Sequence, residues 1–467
     1  MNYGTVDETI IAQLRDIVGA NNVITDPDAL ENYAHDETPL YRSMPDVAVK
    51  PTTTDQVSNI LKLAFEHNIP VTPRGGGTCL SAGAVPVHGG IVLSLENMTK
   101  IKEVDKENMM AVVETGIVTE QFGKELAKHD LFFPPDPVSL DSCTIGGNIA
   151  ECAGGPRAMK YGVTRNYVTG ILFVLPDGTI SRIGGKLLKN VTGYDLINLI
   201  IGSEGTLAIV TEATIKVLPL PKIIVDLLIP FKYVEDATNF AIAVQGAGLM
   251  PAAIEFMEGD VVREVSKYLG RKIPYMDAGA HTIVEIDGDE KDRVSKTYDQ
   301  IGDVALKHGA LDVLVGEGVK DREKIWEPRK NIGDTLKELT KNVAREDLVV
   351  PKKHIPLLIS RLKDCVSKYN ATIYTFGHLG DGNIHADVSI DKNAELTNAE
   401  IDKMRREIYD ITISLGGAIT AEHGVGLSKV DYISMALDKK QIEIMKHIKQ
   451  IFDPKNILNP GKIFPNS

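Results

Sequence analysis

Apolar residues recur at helical spacing near the start of the chain. Ile10, Ile11, Leu14, Ile17 and Val18 share one side of a helix, because positions three and four apart lie on one face. Thr5 and Glu8 just before them predict a capping box, and Gly19 stands where a C′ glycine belongs. The spacing returns in Val57, Ile60, Leu61, Ala64 and Phe65 and predicts a helix over 54–67. A short strand, IPVTP, follows, then the glycine-dense loop RGGGTCLSAGAVP from Arg74 to Pro86. Strands are predicted near 91–95, 109–114, 170–175 and 207–217, with a helix near 119–129. Between them, residues 131–165 are rich in Gly, Pro and small side chains.

At Leu218 the texture changes, and LPLPK marks a domain boundary. Beyond it the pattern predicts strand 223–229, helix 233–246 and strand 251–258, then a second such set at 280–286, 290–308 and 311–315. Two consecutive strand–helix–strand sets predict a ferredoxin-like antiparallel sheet. Amphipathic helices near 321–340 and 355–369, a hairpin over 371–390, further helices and the tail ILNPGKIF complete the chain. The expected class is α+β in four segments: a helical segment 1–45, a first domain 46–220, a cap domain 221–410 and a C-terminal helical segment 411–467.

Composition narrows the function. A length of 467 residues exceeds one ordinary core and implies two or three domains. Hydrophobic residues at 43% and charged residues at 25% are the balance of a soluble globular protein. The net charge of −13 argues against binding nucleic acid or an anionic membrane. No 18-residue apolar run predicts a membrane span, and MNYGTVDETI lacks the pattern of a signal peptide. Cys79, Cys143, Cys152 and Cys365 form no CxxC pair, so no iron–sulfur ligand run or cysteine zinc knuckle is expected. Few cysteines in an acidic chain predict a cytoplasmic home.

Three consecutive glycines after a strand leave backbone N–H groups open to one anion, and Arg74 adds a positive charge. The loop fits neither GxxxxGK[ST] nor GxGxxG, which disfavours a P-loop NTPase or a Rossmann dehydrogenase. Alone, it reads equally as a surface turn. A second small-residue segment, SLDSCTIGGNIAECAGGPRAMKYGVTRNYV (Ser139 to Val168), holds two glycine pairs. A third piece, GSEGTLAIVTEATIKV (202–217), leads into a strand. Together, in this order, the three resemble the flavin domain of the vanillyl-alcohol-oxidase type. AEHGVG at 421–426 and NPGKIF at 459–464 resemble one branch of it. That branch is the flavin dehydrogenases of D-2-hydroxy acids, including glycolate oxidase subunits, D-lactate dehydrogenases and D-2-hydroxyglutarate dehydrogenases. The resemblance implies FAD held by Pro73, Arg74, Gly75, Gly76, Gly77, Thr78 and Ser81 in the first loop. Pro135, Ser142, Thr144, Gly147, Gly154, Gly155, Tyr161 and Gly162 would hold it in the second, with Glu204, Val210 and Asn459 beyond. No histidine lies within 74–86, so the FAD is expected to be non-covalent. Cys152 stands where the family commonly has Asn, and Ala208 where it commonly has Gly, which bears on flavin tuning.

The hairpin YTFGHLGDGNIHADV carries two histidines. A Gly380–Asn383 loop would place His378 directly opposite His385. Opposed residues bring their Cβ atoms to about 4.5–5.5 Å, near enough to share an ion. Glu422, in AEHGVG, is the natural third ligand. Two imidazoles and a carboxylate with open positions suit catalytic Zn, Fe(II) or Mn; two hydrogen-bonded cross-strand histidines are the other reading. In the resembling branch the histidine matching His423 is the general base, a task suited to imidazole. Arg329, in WEPRKNIGD, matches an arginine that grips the substrate carboxylate. Arg345 falls near a second cation of larger-substrate relatives, and Asp387 stands where 2-hydroxyglutarate dehydrogenases tend to have Asn. A carboxylate there disfavours a second substrate carboxylate and favours a small monoacid such as lactate or glycolate. The implied activity is FAD- and metal-dependent oxidation of a 2-hydroxy acid, with hydride passing to flavin N5. The chain has no haem-attachment CxxCH and no nicotinamide fingerprint, so a soluble partner is expected to take the electrons. It resembles flavin subunits of lactate dehydrogenases that work with an electron-transfer flavoprotein, some by electron bifurcation. An iron–sulfur subunit and O₂ are the alternative acceptors.

Overall fold

The computed structural model describes residues 3–38, 41–339 and 341–465. They form two compact units. The first comprises Met1–Gly154, Val163–Leu220 and Glu422–Ser467; the second comprises Gly155–Gly162 and Pro221–Ala421. Among the described residues no helix is long and apolar enough to cross a membrane.

In the first unit, helix Glu8–Val18 buries Ile10, Leu14 and Val18, and Gly19 at φ 85° returns its N–H to the Arg15 carbonyl. The expected Thr5–Glu8 capping box is corrected: Asp7 is the N-cap and accepts the Ile10 N–H. Aspartate caps as well as threonine, so the local sequence offered two solutions. Helix Thr54–Glu66 is capped by Thr53, whose hydroxyl accepts the Gln56 N–H, worth about 1 kcal/mol. Leu14, Ile60 and Leu61 share one core with Ile91 and Leu93. The strands of this core run in the order Val23–Ile24, Val47–Val49, Ile91–Ser94, Val71–Arg74, and the last three are parallel. Parallel strands covered on both faces need continuous apolar runs, which VAV and IVLS supply.

A second, antiparallel sheet orders Ile101–Asp105, Met110–Glu114, Ile209–Lys216, Val168–Val174 and Ile180–Gly184. Its two edge strands, IKEVD and ISRIG, are absent from the sequence expectation, because edge strands carry charges that blur the alternation. In the C-terminal stretch, buried Lys449 on helix Lys439–Phe452 donates to Asp453 Oδ2 at 2.5 Å and to the Thr206 and Leu458 carbonyls at 2.8 Å. That knot lays the tail beside Val71, whose carbonyl accepts the Asn459 N–H at 2.7 Å.

The second unit is one seven-stranded antiparallel sheet. In chain order its strands are β1 Ile223–Phe231, β2 Ala253–Glu258, β3 Ala280–Gly288, β4 Leu314–Gly316, β5 Lys341–Val349, β6 Thr372–His378 and β7 Asn383–Ile390. Their spatial order is β4-β1-β3-β2-β6-β7-β5. The first four follow the expected ferredoxin-like arrangement. Helix Gly259–Tyr268 and strand β5 were not anticipated, and the helix expected over 321–340 is two, Val319–Lys330 and Ile332–Leu339. β5, KNVAREDLV, is too charged to register as a strand from its sequence.

Register places the polar residues on one face. Asp226 pairs with Glu285, Glu255 with His378, His385 with Asp347, and Asp387 with Arg345. Because side chains alternate, all eight project from the same side of the sheet. Leu228, Met257 and Phe376 on that side pack with Val261, Ile332 and Leu336 of the helices above it. The other side takes the alternate residues: Glu346 accepts from Arg405 Nε at 2.6 Å and from the Tyr409 hydroxyl at 2.5 Å on helix Asn398–Ser414.

Candidate functional site

In the first unit, strand Val71–Arg74 delivers the glycine loop. A Cβ on Gly76 would collide with the Ser142 carbonyl oxygen, so glycine is required where the two small-residue segments meet. Gly75 lies against Thr144 and Gly77 against the Arg74 guanidinium. Pro73 is half-buried within the strand, Thr78 is half-buried in the loop, and Pro135 is buried. Arg74, expected to face an anion, donates to the carbonyls of His35 at 2.7 Å and Asn32 at 3.0 Å. The Thr144 hydroxyl caps helix Ile145–Glu151 by accepting the Gly147 N–H at 3.2 Å. The exposed Ser142 hydroxyl donates to Asp141, and the Val210 carbonyl accepts from the Thr115 hydroxyl at 2.6 Å.

Glu204 turns toward the 422–426 loop. Its oxygens accept the Val425 N–H at 2.8 Å and the Gly426 N–H at 2.6 Å. Burial pushes its carboxyl up against the opposing pull of those two N–H bonds. Gly424, at φ +77°, fits between Glu204 and Glu151, where a Cβ would collide with Glu151 Oε2. Burial first, then the Glu204 charge, holds the Glu151 carboxyl well above the usual carboxylate range. The Ser81 carbonyl accepts the Leu427 and Ser428 N–H groups at 2.9 and 3.1 Å, tying this loop to the glycine loop. His423 Nε2 lies 3.7 Å from Glu422 Oε1. Asn459 Nδ2 donates to the Gly83 carbonyl at 3.0 Å and the Glu204 carbonyl at 2.8 Å.

Two buried oxygens here, Glu151 Oε2 and Asn459 Oδ1, have no hydrogen-bond partner among the described residues. Their side chains border the glycine loop, since Glu151 Oε1 is 3.6 Å from Cys79 Sγ and Asn459 binds Gly83. Orphaned acceptors beside a glycine-rich loop fit a bound group that carries donors, as the ribityl hydroxyls of FAD do. Gly154 closes one stretch of the first unit, whereas Gly155, Tyr161 and Gly162 belong to the second. There the Tyr161 hydroxyl donates to Asp287 at 2.6 Å, and Arg157 Nε to Glu285 at 2.7 Å.

In the second unit, the polar sheet face gathers the remaining candidates. The expected hairpin register is corrected. His378 is opposite Asn383, and His385 is opposite Phe376, because the connecting loop is Leu379–Gly382. A shift of two positions preserves the face. The histidines are therefore diagonal neighbours, and their Nε2 atoms still face each other at 3.4 Å. His378 Nδ1 bonds Glu255 Oε1 at 2.6 Å, and Arg329 Nε donates to Glu255 Oε2 at 2.9 Å. The Arg329 guanidinium lies 5.1 Å from the Phe376 ring centre, and its buried Nη2 has no hydrogen-bond partner among the described residues. Arg345 Nε donates to Asp387 Oδ2 at 3.2 Å. Asp347 is 3.6 Å from His385 Nδ1 and fully buried. It accepts from Asn383 Nδ2 at 2.7 Å, the Thr420 hydroxyl at 3.0 Å and the Ala421 N–H at 2.8 Å. Two facing imidazole nitrogens with carboxylates beside them are a donor set that fits a borderline divalent ion. Glu422 follows Ala421 directly in the chain.

Comparison with protein families decides the assignment. Residues 45–184 match a FAD binding domain, and residues 220–463 match the C-terminal domain of FAD linked oxidases. The chain belongs to the FAD-linked oxidase family. Glycolate oxidase subunit GlcD of Bacillus subtilis is 40% identical over 92% of this chain and 92% of its own length. D-lactate dehydrogenase of Anaerostipes hadrus is 36% identical over 99% and 98%. The structure of p-cresol methylhydroxylase with substrate bound superposes with a TM-score of 0.81 at 17% identity, over 98% of this chain and 97% of that one. That likeness shows the vanillyl-alcohol-oxidase type of fold.

Two side chains central to this FAD-linked oxidase face, Glu255 and Asp347, were missed in the sequence. Asp347 was within reach. Once β5 is seen as a strand, Arg345 and Asp347 fall on one face and Glu346 on the other. Glu255 has no local signal, because only the pairing of β2 with β6 brings it to His378.

Proposed function

We propose that this protein oxidises a small 2-hydroxy acid, with lactate favoured, to the 2-oxo acid. The observation that carries the reading is Arg329, a buried guanidinium with one nitrogen unpartnered among the described residues, on the same face as the His378–His385 pair. An anion grip beside an ion-binding donor pair is what a 2-hydroxy carboxylate requires. The names of the GlcD and D-lactate dehydrogenase relatives support the same chemistry.

Arg329 would hold the substrate carboxylate by charge-assisted hydrogen bonds. His423 would take the hydroxyl proton onto a ring nitrogen. His378, His385 and Glu422 would hold the ion, with Asp347 as a further carboxylate. When bound, a divalent ion supplies a Lewis acid for the alcohol oxygen. Non-covalent FAD, held by the glycine loop and its neighbours, supplies the hydride acceptor. Arg345 and Asp387 would set specificity: Asp387 neutralises the cation a second substrate carboxylate would need. An assay of 2-oxo acid formation with an artificial electron acceptor tests this. D-lactate and glycolate are expected to turn over well, and 2-hydroxyglutarate at least tenfold more slowly. A preference for the dicarboxylate, or no turnover of any 2-hydroxy acid, would refute the reading.

We further propose that the electrons leave to a soluble electron-transfer flavoprotein, with an iron–sulfur subunit as the alternative. The absence of CxxC, CxxCH and nicotinamide motifs in the chain favours an external acceptor. Lactate and NAD⁺ given to the isolated protein should yield no NADH. Adding a cognate electron-transfer flavoprotein with a low-potential acceptor should start NADH formation. Rapid NAD⁺ reduction by the lone chain would contradict this acceptor.

A further inference from the structure

Glu255 lies on β2 with no exposed surface. A buried carboxylate is costly unless its oxygens are matched, and here each oxygen has a different partner. Oε1 meets His378 Nδ1 at 2.6 Å; Oε2 accepts from Arg329 Nε at 2.9 Å. The first contact decides the tautomer of His378: a proton on Nδ1 places the lone pair on Nε2, the atom that faces His385 Nε2 at 3.4 Å. The second contact pins the inner edge of the guanidinium. The Phe376 ring centre lies 5.1 Å from Arg329 Cζ, and Nη2 remains for an incoming anion.

We propose that Glu255 is a positioning residue that couples the two halves of substrate recognition, fixing His378 for the ion and Arg329 for the carboxylate through one side chain. The inference rests on the roles given to His378 and Arg329 above. An alternative role, in which Glu255 only balances the Arg329 charge, predicts no effect on ion binding.

Glu255→Gln keeps the shape of the side chain but leaves one acceptor oxygen for two donors. The amide group then opposes whichever donor it meets. The variant should lose about 10–100-fold in Zn²⁺ affinity, the range for removing a group that orients a ligating histidine. In the same protein the KM for lactate should rise about tenfold, as for one lost charge-assisted hydrogen bond. Affinity is read on FAD-loaded, metal-stripped protein by competition with a chromophoric Zn²⁺ chelator, and so does not depend on turnover. Circular dichroism and FAD content confirm folding. Arg329→Met should raise the KM with Zn²⁺ affinity unchanged, and His378→Ala should lose Zn²⁺.

Paired losses in Glu255→Gln, with the split seen in Arg329→Met, support the coupling. Unchanged Zn²⁺ affinity in Glu255→Gln, with the ion lost in His378→Ala, overturns the coupling and leaves the metal site standing. Retention of Zn²⁺ in His378→Ala overturns both. Should Glu255→Gln fail to fold, the ring ¹⁵N spectrum of metal-free wild-type protein decides. It should show a neutral histidine protonated at Nδ1, assigned by its disappearance in His378→Ala. Assignment of His378 as the Nε2-protonated tautomer would overturn the proposal.

Discussion

Replacing His423 with alanine is expected to slow flavin reduction by lactate about 10²–10⁴-fold, the usual cost of removing a general base. FAD content should stay at the wild-type level. The loop that carries His423 is shaped by its backbone: Glu204 accepts the Val425 and Gly426 N–H groups, and Gly424 adopts φ +77° against Glu151. Those holds remain when the imidazole is removed, so the loss should fall on proton transfer and not on folding. Anaerobic stopped-flow absorbance in the flavin band measures it directly. A rate within threefold of wild type would remove His423 from the role of base.

His378→Ala and His385→Ala are expected to lose the bound ion and the activity together. The two Nε2 atoms lie 3.4 Å apart on adjacent strands of one sheet, so deleting either imidazole breaks up the facing nitrogen pair. An ion left with one imidazole and carboxylates resembles a hard-cation site and binds Zn²⁺ or Fe²⁺ far more weakly. Elemental analysis of the purified variants, normalised to FAD, is the measurement. Full metal occupancy in both variants would show that the ion is held elsewhere. The FAD content serves as the folding control, since the glycine loop belongs to the other unit.

Sequence patterning reached the ferredoxin-like half of the sheet because β1, β2 and β3 are short, largely apolar runs separated by helix-length segments. It lost β5 because Lys341, Arg345, Glu346 and Asp347 mask the alternation, although Ala344 and Leu348 are buried. The hairpin register expected from the sequence differs from the observed one by two positions. The histidines still met, because strand periodicity is two and an even shift leaves every side chain on its own face. Glu204, expected beside the flavin, receives the backbone of the 422–426 loop. Its partners are more than two hundred residues away, and no local pattern encodes that distance. The same limit hid Glu255: a glutamate within an apolar strand looks like an interruption until β6 supplies His378 and a neighbouring helix supplies Arg329.

The proposed oxidation needs both the flavin and an ion held by the histidine pair. It is tested most directly by mixing metal-stripped, FAD-loaded protein with D-lactate in the absence of oxygen and following the flavin absorbance. No bleaching is expected over the time in which metal-replete protein bleaches fully, with recovery on adding Fe²⁺, Zn²⁺ or Mn²⁺. Bleaching at the full rate without metal, or none in the metal-replete protein with any D- or L-2-hydroxy acid, would contradict it.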